Sequence, residues 1–220
     1  RINHSHGRPV RVDRETALLI DYAATCHEVS DGMFDITSGV LRRVWRFDGS
    51  DRVPSEAQVL EALQHVGWHR VTWEDSTLTM PAGMEIDLGG IAKGYAADAA
   101  LAVLKSHGAT RALVAASGDI AAGDPPPGKP GWRVGIGALD AKESQLAKTI
   151  LLENAAVSTS GDAEQFVEID GRRYSHIVDP RTGLGLTERL QVSIIAKRAT
   201  DTDGFATAVS VLGVRRGLEL

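Results

Sequence analysis

The segment Asp87-Leu-Gly-Gly-Ile-Ala-Lys-Gly-Tyr95 constrains this chain more than any other. It puts an acid, two glycines and a lysine where a short strand over 86–88 meets an Ala-rich helix, from 91 to about 107 with Gly108 as its stop. Gly89 and Gly90 lack a Cβ, so another group can approach the backbone closely, and the Gly90 carbonyl is available to a cation. Lys93 falls in the first helical turn, where a cation opposes the helix dipole. A bound anion would offset that conflict, and free N–H groups at a helix start suit phosphate. The other reading is a lysine on a solvated face.

A second pattern lies far downstream in Asp203-Gly-Phe-Ala-Thr207. Residues four apart share one helix face. The spacing predicts a helix over 202–212 with Asp203 in its first turn and Thr207 beside it. Oxygen ligands of this kind suit Mg2+, whose shell phosphate oxygens and water complete. An N-terminal acid beside a threonine folded onto its own backbone is the alternative. Asp201 is a competing ligand, but a calcium loop starting there would need oxygens where Phe205 and Leu212 stand. Read together, the two patterns imply a protein that grips a nucleotide pyrophosphate through a metal.

Composition narrows the field. The 220 residues are 43% hydrophobic, enough for a core and against disorder. A net charge of −5 without a long basic run argues against nucleic-acid binding. The single cysteine, Cys26, excludes an internal disulfide framework and a Cys-rich zinc site. No apolar run approaches a membrane span, and no signal peptide is visible. The chain begins Arg1-Ile-Asn without a Met, which reads as a trimmed or processed segment.

Asp13 predicts a helix cap, with the helix running to about 29, and Ser55-Glu-Ala-Gln58 reads as a capping box for a helix ending near Gly67. Strands are expected over 69–73 and 77–80 around a Glu74-Asp75-Ser76 turn, then over 111–116 (buried), 132–136, 149–152, 166–169, 173–178 and 190–196. Asp170-Gly171 supplies a hairpin turn, and 123–131 is a Pro/Gly loop. Hairpin-linked strands with interspersed helices predict an α+β fold.

Other polar stretches are open to two readings. His176, within Arg173-Tyr-Ser-His-Ile-Val-Asp-Pro-Arg-Thr-Gly183, could take a proton from a hydroxyl, or could be hydrogen-bonded while Asp179 closes a turn. Ser158-Thr-Ser-Gly-Asp162 could line a polar ligand or form a turn. Met33 and Phe34 could face a ring, or pack in the core. His4 and His6 could bind a metal, although terminal histidines are more often disordered. Walker and Rossmann glycine patterns are absent.

The order of these blocks carries a resemblance. Asp31-Gly-Met-Phe-Asp-Ile-Thr-Ser-Gly39, 86–98, 113–120, 132–136, 157–162, 174–183 and 202–208 follow one another as in the ApbE family of FAD:protein FMN transferases, which the chain resembles over nearly its whole length. The resemblance implies an α+β fold with mixed or antiparallel sheets, packed helices and an FAD cleft, in one family domain over 1–220 trimmed at both ends. It implies Mg2+ on Gly90, Asp203 and Thr207, flavin contacts at Met33, Phe34, Asp35, Asp87 and Lys93, and catalytic roles for His176 as general base and for Asp203.

The reaction so implied moves FMN from FAD to a threonine hydroxyl of an acceptor flavoprotein with a Ser/Thr-Gly-Ala-Thr-like site, releasing AMP. An FAD pyrophosphatase or a non-catalytic FAD-binding protein would use nearly the same residues. A periplasmic or envelope-associated location is also implied. The chain departs from the family at Ser117-Gly118-Asp119, where Gly-Gly-Asn is frequent, and near Gly185, where proline is usual. Family members also carry an N-terminal strand region with further flavin contacts ahead of the segment that Arg1-Ile-Asn matches.

Overall fold

A computed structural model describes residues 1–47, 52–137, 146–161, 166–169 and 171–220. The helices are α1 (Arg14–Val29), α2 (Glu56–Leu63), α3 (Ala92–Ser106) and α4 (Ala199–Glu219). The strands are β1 (Val10–Arg11), β2 (Thr72–Glu74), β3 (Thr77–Thr79), β4 (Leu113–Ala116), β5 (Asp119–Ala122), β6 (Trp132–Gly137), β7 (Leu146–Leu152), β8 (Ala156–Gly161), β9 (Phe166–Ile169), β10 (Arg172–Ser175) and β11 (Gln191–Ala196). Every described strand pairing is antiparallel, as an α+β fold requires. Among the described residues, no helix is long and apolar enough to cross a membrane.

Contacts divide the chain into two compact units. The first comprises Arg1–Leu88, Glu164–Glu188 and Val211–Leu220. It holds the sheet β1-β3-β2 and the hairpin β9-β10. Asp13 caps α1, its carboxylate accepting the Thr16 N–H at 2.8 Å, and the capping box at Ser55 and Gln58 forms as expected. A 3-10 helix, Ile36–Arg43, buries Val40 and Leu41 against Trp45, Ala62 and Val167.

The second unit comprises Gly89–Ala163 and Arg189–Ser210. Its main sheet runs β11-β8-β5-β4, with β6-β7 as a separate pair. A core of Ala97, Leu101, Ala121, Ala156 and Ala199 brings α3 onto this sheet. Four of those five side chains are alanines, so the backbones approach closely.

Several local expectations need correction. Residues 68–70 form a 3-10 turn, and the strand expected over 69–73 is only Thr72–Glu74. The expected strand over 86–88 has no ladder. There the Asn3 side chain takes a strand's place, accepting the Ile86 N–H at 2.9 Å and donating to its carbonyl at 3.1 Å. Strand β4 is a half-exposed sheet edge rather than a buried strand, and β10 stops at Ser175 instead of reaching 178. Helix α2 ends at Leu63, earlier than Gly67. Ser158 to Gly161 belong to β8 rather than to a turn, while Asp162 and Asp170 lie outside the described residues. Gly171, at φ +72°, has the backbone that a hairpin turn requires.

Candidate functional site

Helix α4 begins at Ala199, so Asp203 stands in its second turn, and the acid of the first turn is Asp201. Asp98, on α3, supplies the cap. Its carboxylate accepts the Ala199 N–H at 2.8 Å, the Thr200 N–H at 2.9 Å and the Thr200 hydroxyl at 2.7 Å. A second tie joins Ser158 of β8 to Thr202, hydroxyl to hydroxyl, at 2.6 Å. Gly94 makes the close approach possible. A Cβ there would collide with the Ala199 carbonyl and lie 2.9 Å from the Asp203 Cβ. The start of α4 is therefore pinned to the start of α3, which follows Gly89 and Gly90 after the N-cap residue Ile91.

This packing buries the Asp203 carboxylate at the first turn of α3. Asp203 is 2% exposed and accepts the Gly94 N–H on Oδ2 at 3.0 Å. Lys93 Nζ donates to Asp203 Oδ1 at 3.2 Å and to Asp119 Oδ2 at 2.7 Å. Asp119, on β5, is 3% exposed. The cation against the helix dipole is thus offset by two of the protein's own carboxylates. Burial pushes the Asp203 carboxyl above its ordinary value; Lys93 opposes that and Asp119 adds to it. Burial alone would lower Lys93, but its two carboxylate partners outweigh this and raise it.

Thr207 stands one turn beyond Asp203, as the spacing predicts, with its hydroxyl donating to the Asp203 carbonyl at 3.3 Å. Among the described residues, no group of three or more His, Cys, Asp or Glu gathers as metal ligands. The available donors are oxygens: two buried carboxylates sharing one ammonium, with a hydroxyl and backbone carbonyls close by in the chain. One negative charge in that set is uncompensated. Such a set fits a hard divalent cation.

The remaining predicted residues lie in the first unit. Met33 and Phe34 are each 5% exposed, and Met33 packs with Ile177 and Val211. Asp35 is buried with its acceptors engaged: Oδ1 takes the Thr37 N–H and hydroxyl at 2.8 and 2.6 Å, and Oδ2 takes the Trp68 N–H at 3.0 Å. Asp87 pairs with Arg42 at 3.1 Å, and its N–H donates to the Ile36 carbonyl at 2.8 Å. A Cβ on Gly39 would lie 2.8 Å from the Asp87 Cβ, so the 31–39 block and the Asp87 turn meet.

His176 follows β10, half-buried, with its ring edge-on to Phe47 at 6.4 Å. Beyond it Asp179 closes the loop. It accepts the Arg181 N–H at 2.8 Å and grips the guanidinium at 3.0 and 2.7 Å. Trp45 Nε1 donates to the Gly183 carbonyl at 2.7 Å.

The ApbE family pattern matches residues 1–220. The chain belongs to the ApbE family. Proteins named FAD:protein FMN transferase are similar throughout: one from Klebsiella pneumoniae is 34% identical over 98% of this chain and 68% of its own length, and one from Treponema pallidum 36% identical over 96% and 64%. This chain thus spans about two thirds of the length of such relatives. An ApbE crystal structure from Thermotoga maritima superposes with a TM-score of 0.90 at 38% identity, covering 99% of this chain and 72% of the other. The flavin transferase ApbE from Vibrio cholerae gives 0.86 at 30% identity, over 97% and 69%. Within the family frame, Asp119, Asp98 and Thr202 are the residues that sequence reasoning left without a role, and Ser158, read as a ligand-lining or turn residue, instead ties β8 to Thr202. Only Asp119 carried a signal, as a departure from the family's Gly-Gly-Asn.

Proposed function

We propose that this chain transfers FMN from FAD to a threonine hydroxyl of an acceptor flavoprotein, with release of AMP. The observation that carries the reading is the buried Asp203 carboxylate held at the first turn of α3, in a chain of the ApbE family. In this reading the acceptor oxygen bonds to the phosphorus on the flavin side. The P–O bond to the bridging oxygen breaks, and AMP departs with that oxygen.

His176 receives the hydroxyl proton. Asp203, Thr207 and the Gly90 carbonyl would hold Mg2+, which, when bound, polarises a diphosphate and offsets charge on the leaving group. Lys93 supplies positive charge beside the same carboxylate. The Asp98 cap and the Gly94 contact keep Asp203 in place, so the alignment of this carboxylate depends on two packed helices. We extend the proposal to a periplasmic or envelope-associated setting.

The test incubates the protein with FAD, Mg2+ and an acceptor carrying a Ser/Thr-Gly-Ala-Thr-like site, followed by a denaturing gel under blue light. A covalent fluorescent band is expected. AMP without a band would mean hydrolysis, and neither product would mean FAD storage; both outcomes overturn transfer. His176→Ala is expected to keep FAD binding and lose the band, whereas equal loss of both would assign His176 to packing.

A further inference from the structure

Lys93 links two buried anions that the chain brings from far apart, 26 and 110 residues away. The carboxylates are 3% and 2% exposed, whereas the lysine side chain is half exposed. The anions are therefore fixed in the fold, and the cation reaches them on a flexible stem from the solvent side. The contacts are unequal, 2.7 Å to Asp119 against 3.2 Å to Asp203. On Asp203, Oδ2 accepts the Gly94 N–H and Oδ1 carries the ammonium, so a cation that binds through Oδ1 meets Lys93 there.

We propose that Lys93 is a resident counter-ion on Asp203 which a divalent cation displaces, and that Asp119 is the positioning residue that keeps the displaced ammonium at the site. The proposal rests on the reading of Asp203 as a Mg2+ ligand. Mg2+ bonds to oxygen at about 2.0–2.1 Å, so the ion and the ammonium would crowd each other on Oδ1. Asp119 already holds the shorter contact, so the lysine pivots on it. Two carboxylates and one ammonium carry a net charge of −1; with Mg2+ added and the lysine retained, the site carries +1. Retention of Lys93 thus converts an anionic cluster into one that attracts a diphosphate.

Calorimetric titration of Mg2+ into the full chain without FAD tests this directly. Lys93→Met, which removes the competitor, should tighten Mg2+ binding about tenfold. Asp119→Asn should weaken it, because the ammonium then rests on Asp203 alone. In the Lys93→Met background the same Asp119→Asn change should have at least a threefold smaller effect, because its action runs through the lysine. Lys93→Arg, whose fork can hold both carboxylates, should weaken binding and serves as the second variant if Lys93→Met does not fold.

Unchanged affinity in Lys93→Met, or in Lys93→Arg where that variant alone folds, overturns the counter-ion role. An Asp119→Asn penalty of equal size in both backgrounds makes Asp119 a ligand or a general charge and overturns the positioning role. Mg2+ binding that survives Asp203→Asn, or is absent from wild type even with FAD, overturns the metal reading itself and this proposal with it.

Discussion

The Lys93–Asp119–Asp203 cluster and the Asp179–Arg181 loop are both carboxylate–cation pairings, but they are held in opposite ways. In the loop, partners two residues apart close a turn, and the Arg181 side chain is 55% exposed. In the cluster, partners come from α3, β5 and α4; both pairings set a half-exposed cation on buried carboxylate, so the difference lies in where the partners come from. A local pairing can form wherever its turn forms. The distant pairing exists only once two helices and a sheet have packed, so its charges depend on the whole second unit.

The largest effect should come from breaking the helix contact on which the cluster stands. Gly94→Ala puts a methyl into the Ala199 backbone, and a stability loss of about 3 kcal/mol is expected in chemical denaturation. Gly171→Ala, in the first unit, meets no atom within 4 Å and is opposed only by its φ of +72°, so about 1 kcal/mol is expected. Equal losses at the two glycines would erase the contrast between packed and local sites.

Asp179→Asn should cost about 1 kcal/mol at neutral pH, because the guanidinium it frees is solvent-screened. Acid sharpens the comparison. Burial works to raise Asp179, but the Arg181 hydrogen bond and charge overcome it and hold the carboxyl below its ordinary 3.8. Its stabilisation is therefore present above 3.8 and is lost as pH falls through the lower folded value. Asp203 is raised, chiefly by burial, so its carboxylate burdens the fold above the raised value, and that burden shrinks as pH falls from there towards 3.8. Denaturation profiles of Asp179→Asn and Asp203→Asn against wild type should thus diverge in opposite directions on acidification. Parallel profiles would show that the two acids share one environment.

The smallest change is expected from Ser158→Ala. Thr202 keeps its bond to the Ala199 carbonyl at 3.0 Å, so a loss of about 1 kcal/mol or less is expected by thermal or chemical denaturation.

Local chemistry was legible from the residues. The Asp13 cap, the Ser55 capping box, the stop after Ser106 and the helix placing Thr207 one turn beyond Asp203 depend on neighbours within about four positions, and the structure holds all of them. Failures came where a distant group replaced a local rule. Residues 86–88 look like a strand because they are extended, yet their partner is the side chain of Asn3. The cap of α4 was hidden because its acid, Asp98, sits about a hundred residues upstream on another helix.

Sequence by itself determined the α+β class, the family and the two segments that carry oxygen and amide groups. These follow from residue type, short spacing and block order. Tertiary structure alone decided that Lys93 answers to Asp119 and Asp203 and that Gly94 must be a glycine, because burial and Coulomb forces act on distance in space. No pattern along the chain encodes which carboxylates lose their water together.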